Sequence, residues 1–284
     1  MIRRTFKDIL DMHSFNAGQE LSKLRKMFEE ETVTFFRGQG GCSFYQSITN
    51  EWFRHFPDRH YYTSLGEIKI EMNSVATRLH YDNLYKLLLY CEFVKFVINQ
   101  CVKTMEYATF SFKDKATILN EQMERILDAS GYQWLNLEDG SWIVIEKNPV
   151  AINAAEIVQD EKDAIRILEY NRFSLKGDLE EKKVILKALG DVVEPILKSN
   201  EWKGCAYKQI GDDTRFLLNN FNIRHNNMDG TNKKEYLSTI TPEELERWYD
   251  KTYDCLLAVI ILNEQIQSSA EIKTVKGLMG KKEE

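Results

Sequence analysis

Residues 82–107 read DNLYKLLLYCEFVKFVINQCVKTMEY. Leu84, Leu87, Leu88, Cys91, Phe93, Val94, Val97, Ile98, Cys101 and Val102 recur at three- and four-residue spacings, which is the signature of a helix with a wide apolar surface. A strand of that length would alternate, and no proline or glycine interrupts the run. The stretch therefore predicts a long helix at the centre of an N-terminal domain and sets the fold class as mainly α. Four prolines and 14 glycines in 284 residues favour long helices over many short strands elsewhere in the chain.

Working back toward the N-terminus, EIKIEMNSVATRLHY (67–81) alternates enough to predict a strand or an extended connection, though periodicity alone does not decide it. Residues 16–36 carry Leu21, Leu24, Met27 and Phe28 at helical spacing, and Gly38, Gly40 and Gly41 follow as a turn or loop. The Lys and Ser/Thr offsets of a phosphate-binding loop are missing there. HFPDRHYY (55–62) gathers His55, Asp58, Arg59 and His60, but a zinc site needs a third or fourth ligand at a defined place. Tyr61 and Tyr62 beside Arg59 fit base stacking as well as ordinary packing. No metal and no cofactor are expected.

Working forward, a helix over 114–128 stops near Gly131, and two aromatic and β-branched runs flank Asp139-Gly140. Asp-Gly suits a two-residue hairpin turn because both positions tolerate positive φ. A hairpin of Tyr132–Leu137 against Trp142–Glu146 is expected to close the first domain, residues 1–149. Helical periodicity then returns at 150–172 and 178–199, with Pro195 expected to kink or weaken the last turn, and at 205–222. The last helix opens at Thr241-Pro242-Glu243-Glu244, which supplies an N-cap, a proline at N1 and a glutamate at N3. Its face is Leu245, Trp248, Thr252, Cys255, Leu256, Val259 and Leu262. Residues 150–270 thus form a helical bundle, and 271–284 a flexible tail. DLEEKK (178–183) and QDEKD (159–163) read as solvated helix faces.

The 38 basic and 44 acidic side chains give a formal charge of -6, so any nucleic-acid contact must be local. Cys42, Cys91, Cys101, Cys205 and Cys255 are odd in number and scattered, as reduced thiols are; Cys91, Cys101 and Cys255 fall in apolar segments as small hydrophobes. The N-terminal MIRRTFKDILDMHSF lacks the apolar run of a secretory signal, and CLLAVIIL (255–262) is far shorter than a membrane span. The expected location is cytosolic, without a membrane partner.

Chemistry concentrates in FNIRHNNMDGTNKK (221–234). Arg224 offers a permanent charge with a planar fork suited to phosphate, and the imidazole of His225 can take up and give back a proton. Such a pair equips a site for metal-independent RNA cleavage: a base takes the 2'-hydroxyl proton and a cation steadies the phosphorane. The same cluster can equally satisfy the last carbonyls of the preceding helix.

A mixed first domain ending in ERILDASGYQWLNLEDGSWIVI, followed by paired long helices flanking IRHNN, resembles bacterial abortive-infection proteins with a C-terminal HEPN domain. The resemblance covers about residues 110–266 and is weakest before them. The HEPN motif is an Arg, a polar residue directly after it, and a His after four to six more positions. Arg224 and His225 match its first two places, while Asp229, Gly230 and Thr231 stand where the closing His belongs. The resemblance implies an antiviral protein directed at RNA and a homodimer through the C-terminal bundle. Either Arg224 and His225 are catalytic, with Asn226, Asn227 and Asp229 contacting substrate, or the module dimerises or senses a partner without cutting.

Overall fold

A computed structural model describes residues 15–33, 41–50, 64–78, 81–104, 110–228 and 230–279. Gly38, Gly40 and the HFPDRHYY stretch lie outside the described residues. The fold is mainly α-helical, and the chain divides into two compact units, residues 1–146 and 147–284.

In the first unit, α1 (Ala17–Arg25) is capped by Asn16 and continues through one wider π-type turn, Lys26–Glu30. It ends six residues before the expected limit, because Glu31 turns extended. Thr32–Val33 (β1) then pairs antiparallel with Cys42–Ser43 (β2), a small ladder the sequence did not announce. Among the described residues two helices follow, α2 (Phe44–Asn50) and α3 (Leu65–Arg78). The α3 segment is where a strand or extended connection was expected. Ser64 Oγ accepts from the Glu67 N–H at 3.2 Å, as an N-cap does. Ile68 and Met72, four apart, pack on the core, whereas Ile70 is 70% exposed. The apparent alternation of Ile68 and Ile70 was therefore not a buried face.

The opening stretch forms α4 (Asn83–Thr104), with Leu87, Leu88, Cys91, Phe93, Val94, Val97 and Ile98 buried. Phe28 sits against it in an aromatic cluster, 6.0 Å from Phe93 and 5.6 Å from Phe44. Helix α5 (Phe110–Ser130) ends at Gly131, whose φ of 82° terminates it without a Cβ penalty. The hairpin follows, β3 (Tyr132–Asn136) against β4 (Trp142–Glu146), with Asn136 opposite Trp142. Its loop is longer than the expected Asp-Gly pair. The Leu137 N–H donates to the Ser141 carbonyl at 2.9 Å, leaving residues 138–140 as the loop, and only Gly140 takes a positive φ, 78°. Asp139 instead accepts from the Ser141 N–H at 2.8 Å, so the geometry is a three-residue loop ending in a left-handed glycine. Glu92 of α4 accepts from the Val144 N–H at 2.7 Å, and Lys95 lies over the rings of Trp134 and Trp142, which fixes the hairpin to the central helix.

In the second unit the expected 150–172 helix is two helices, α6 (Pro149–Ile157) and α7 (Glu161–Glu169). Asp160 breaks the run by accepting from the Lys162 and Asp163 N–H groups, so QDEKD contains a cap and is not one continuous helix face. Next come α8 (Leu179–Lys198), which carries Pro195 inside it, the single turn α9 (Asn200–Lys203), and α10 (Lys208–Asn220), which starts three residues later than expected. DLEEKK is likewise not a solvated face throughout. Asp178 caps α8, and Lys182 is 6% exposed, held by Asp250 at 2.7 Å and Glu246 at 2.8 Å.

The last helix, α11 (Pro242–Met279), begins as the Thr241 cap requires, with the Glu244 N–H donating to Thr241 Oγ1 at 3.2 Å. It packs between α8 and α10 through Leu245, Tyr249, Leu256 and Ile260. The expected tail from residue 271 is helical through Met279, since nothing from Glu271 to Lys276 breaks the helix. Among the described residues no helix is long and apolar enough to cross a membrane, and no group of three His, Cys, Asp or Glu side chains is placed to hold a metal.

Candidate functional site

The site loop is built on two buried asparagines. Helix α10 ends at Asn220, and Asn222 takes φ 59°, a left-handed conformation that asparagine tolerates better than most residues. The chain then doubles back, with the Arg224 N–H donating to the Leu218 carbonyl at 3.0 Å. Asn222 and Asn227 lock the loop reciprocally: the Asn222 N–H donates to Asn227 Oδ1 at 3.0 Å, and the Asn227 N–H to Asn222 Oδ1 at 3.2 Å. Asn227 Nδ2 reaches the Asn232 carbonyl at 3.3 Å, and the Lys234 N–H donates to the Asn227 carbonyl at 2.8 Å. Asn227 is 2% exposed, so its amide is spent inside the loop and is not free for a ligand. Beneath the loop lies Tyr249, whose phenol burial pushes up to about 12.

Arg224 leaves the loop toward α8. Its Nη2 lies 2.9 Å from Glu194 Oε2 and 3.4 Å from Asp191 Oδ1, and the side chain is 16% exposed. Gly190 of α8 makes room for it. A Cβ there would stand 3.3 Å from Arg224 Nη2 and 3.1 Å from a Leu218 methyl carbon. Glu194 is shared with Lys198 at 2.6 Å, and hydrogen bonding to Lys198 with the charge of Arg224 holds its carboxyl below the ordinary range. Two cations and two carboxylates thus cancel. Arg224 Nε is buried without a hydrogen-bond partner.

His225 and Asn226 are exposed on the outer side of the loop, and Asn226 Oδ1 accepts from the Met228 N–H at 3.2 Å. Asp229 lies outside the described residues. Of the five residues singled out in the sequence, the structure therefore turns Arg224 and Asn227 inward and leaves His225 and Asn226 facing solvent. Sequence reasoning missed Asp191, Glu194 and Gly190, which lie 30 to 34 residues upstream of Arg224. Their only signal was a glycine in mid-helix followed by acidic residues one and four positions on.

Beside the loop lies an aromatic group. Phe221 packs 4.8 Å from Trp248 and 6.2 Å from both Phe216 and Tyr236, and Trp248 Nε1 donates to the Tyr236 hydroxyl at 3.3 Å. Phe216 is 58% and Tyr236 49% exposed, and Lys251 lies over the Trp248 ring. Compared with known proteins, the chain matches no family model, no curated protein and no solved structure.

Proposed function

We propose that this chain is an antiviral protein of the abortive-infection type, with a HEPN-like second unit that works as an association module and does not cut RNA. The observation that carries this reading is the Arg224–Glu194 contact, 2.9 Å between a guanidinium only 16% exposed and a carboxylate that Lys198 also holds. A phosphodiester approaching that guanidinium would have to displace Glu194 and would meet the negative charge of Asp191 as well. The motif also lacks its closing His, and Asn227 serves the loop. The exposed rings of Phe216 and Tyr236 suit a contact surface, where aromatic side chains concentrate binding energy.

A second reading, a metal-independent endoribonuclease acting in a dimer, draws on His225, which is exposed and directly follows Arg224. One assay separates the two. Mixed cellular RNA incubated with the protein in EDTA should remain intact, and Arg224→Ala should leave that result unchanged. Fragments bearing 2',3'-cyclic phosphate ends, lost in a folded Arg224→Ala variant, would establish the nuclease instead. Under the association reading the wild-type chain self-associates in sedimentation equilibrium, and a monomer at every concentration would count against it.

A further inference from the structure

Helix α11 is longer than the bundle it packs in. Its fully buried side chains end at Ile260 and its packing on the core at Ile266, yet it continues to Met279, and every residue from Glu271 to Met279 is exposed. At 1.5 Å per residue those nine residues extend about 13 Å. They are not uniformly polar: Ile272 is 51%, Val275 47%, Leu278 67% and Met279 83% exposed. A helix end of this length is marginal in water without a packing partner, and leaving such side chains in water adds to the cost.

The pattern specifies what would cover it. Gln265, Ser268, Ile272, Val275 and Met279 are spaced three, four, three and four apart, which is the a/d alternation of a two-stranded coil. Counted at 100° per residue, that stripe centres roughly 140° around the helix from the buried Leu256, and its apolar members lie beyond Ile266, the last residue of the helix packed on the bundle core. Glu271 precedes the a position Ile272, and Lys276 follows the d position Val275. In a parallel pair, residues at these two places on opposite helices, five apart in sequence, form the flanking ion pair. Five apart on one helix they are not neighbours, and neither forms an ion pair among the described residues.

We propose that the projecting end of α11 pairs in parallel with the same segment of a second copy. Ile272, Val275 and Met279 form the seam, and Glu271 bonds with Lys276 of the partner subunit, twice by symmetry. This inference rests on the association reading above and assigns self-association to the end of α11, apart from the exposed rings of Phe216 and Tyr236, which remain for a different partner.

Sedimentation equilibrium of the full chain at low salt tests it. Glu271→Lys alone and Lys276→Glu alone each place like charges together twice and should raise the dimer Kd about tenfold, at the level of about 1.4 kcal/mol. The double variant Glu271→Lys/Lys276→Glu should return to within about twofold of wild type, and 0.5 M salt should flatten these differences. Val275→Asp should abolish the dimer; all three positions are exposed, and unchanged circular dichroism of the bundle would show that folding is intact. A dimer indifferent to every one of these changes overturns the proposed surface and leaves the association reading standing. A wild-type chain that stays monomeric overturns both. A monomer that instead binds phosphatidylserine vesicles, and loses that binding in Val275→Asp, assigns the stripe to a lipid surface and overturns the coil.

Discussion

A guanidinium 2.9 Å from a carboxylate and turned from solvent has already exchanged much of its water for protein partners, so the charge that made Arg224 attractive is largely spent before any ligand arrives. The asparagines follow the same logic. A cluster such as NIRHNN supplies amides to a substrate or amides to its own backbone, and a left-handed Asn222 together with a buried Asn227 uses them for the second purpose. Asn227→Ala therefore removes the acceptor of the Asn222 N–H and the donor to the Asn232 carbonyl inside a buried loop. Leaving such groups unpaired costs about 2 kcal/mol. Urea denaturation should show that loss through a lower midpoint at unchanged slope; a midpoint equal to wild type would mean that the loop does not depend on the amide.

Elements that announce themselves by several independent signals were legible. The 82–107 run had apolar periodicity over six turns, the last helix had Thr241-Pro242 as a start, and the hairpin had two β-branched runs around a turn glycine. What failed was where one residue decides. Periodicity runs across Asp160 without a break, yet that carboxylate accepts two N–H groups and starts a new helix. The alternation in EIKIEM looked extended because Ile70 is apolar, although it faces water. In the site, the residue types were visible but their partners were not, since Asp191 and Glu194 meet Arg224 only after α8 and α10 pack. Asp160→Ala tests the break directly. Losing both cap bonds should destabilise the second unit by about 1 kcal/mol, read as a lower thermal midpoint, with Asp160→Asn recovering most of it. Equal midpoints for the alanine and asparagine variants would mean that the cap is idle.

At the scale of the whole molecule, each unit has its own core and its own carboxylate kept ionised against burial. In the first unit burial pushes the Glu20 carboxyl up, but hydrogen bonds and charge from Lys23 at 2.8 Å and Arg125 at 2.5 Å outweigh it, and the group ends below its ordinary value. In the second, Glu246 is likewise raised by burial and then lowered further by the Gly177 N–H and by Lys182. A carboxylate depressed in the folded state contributes stability that is fully present above its unfolded pKa, about 4.3. That contribution is lost as pH falls through the lower folded value, because the unfolded chain takes up the proton first. Both units should therefore weaken as the pH falls below the ordinary glutamate value of about 4.3. Glu20→Gln should lower stability at pH 7 and flatten this acid loss in α1, α4 and α5, while Glu246→Gln should do the same in α8 and α11. Hydrogen exchange followed by mass spectrometry across that pH range resolves the two sets of peptides within one chain. If neither substitution altered the pH slope of protection in its own unit, the two carboxylates would be ordinary surface groups, and the acid sensitivity of each core would have to come from elsewhere.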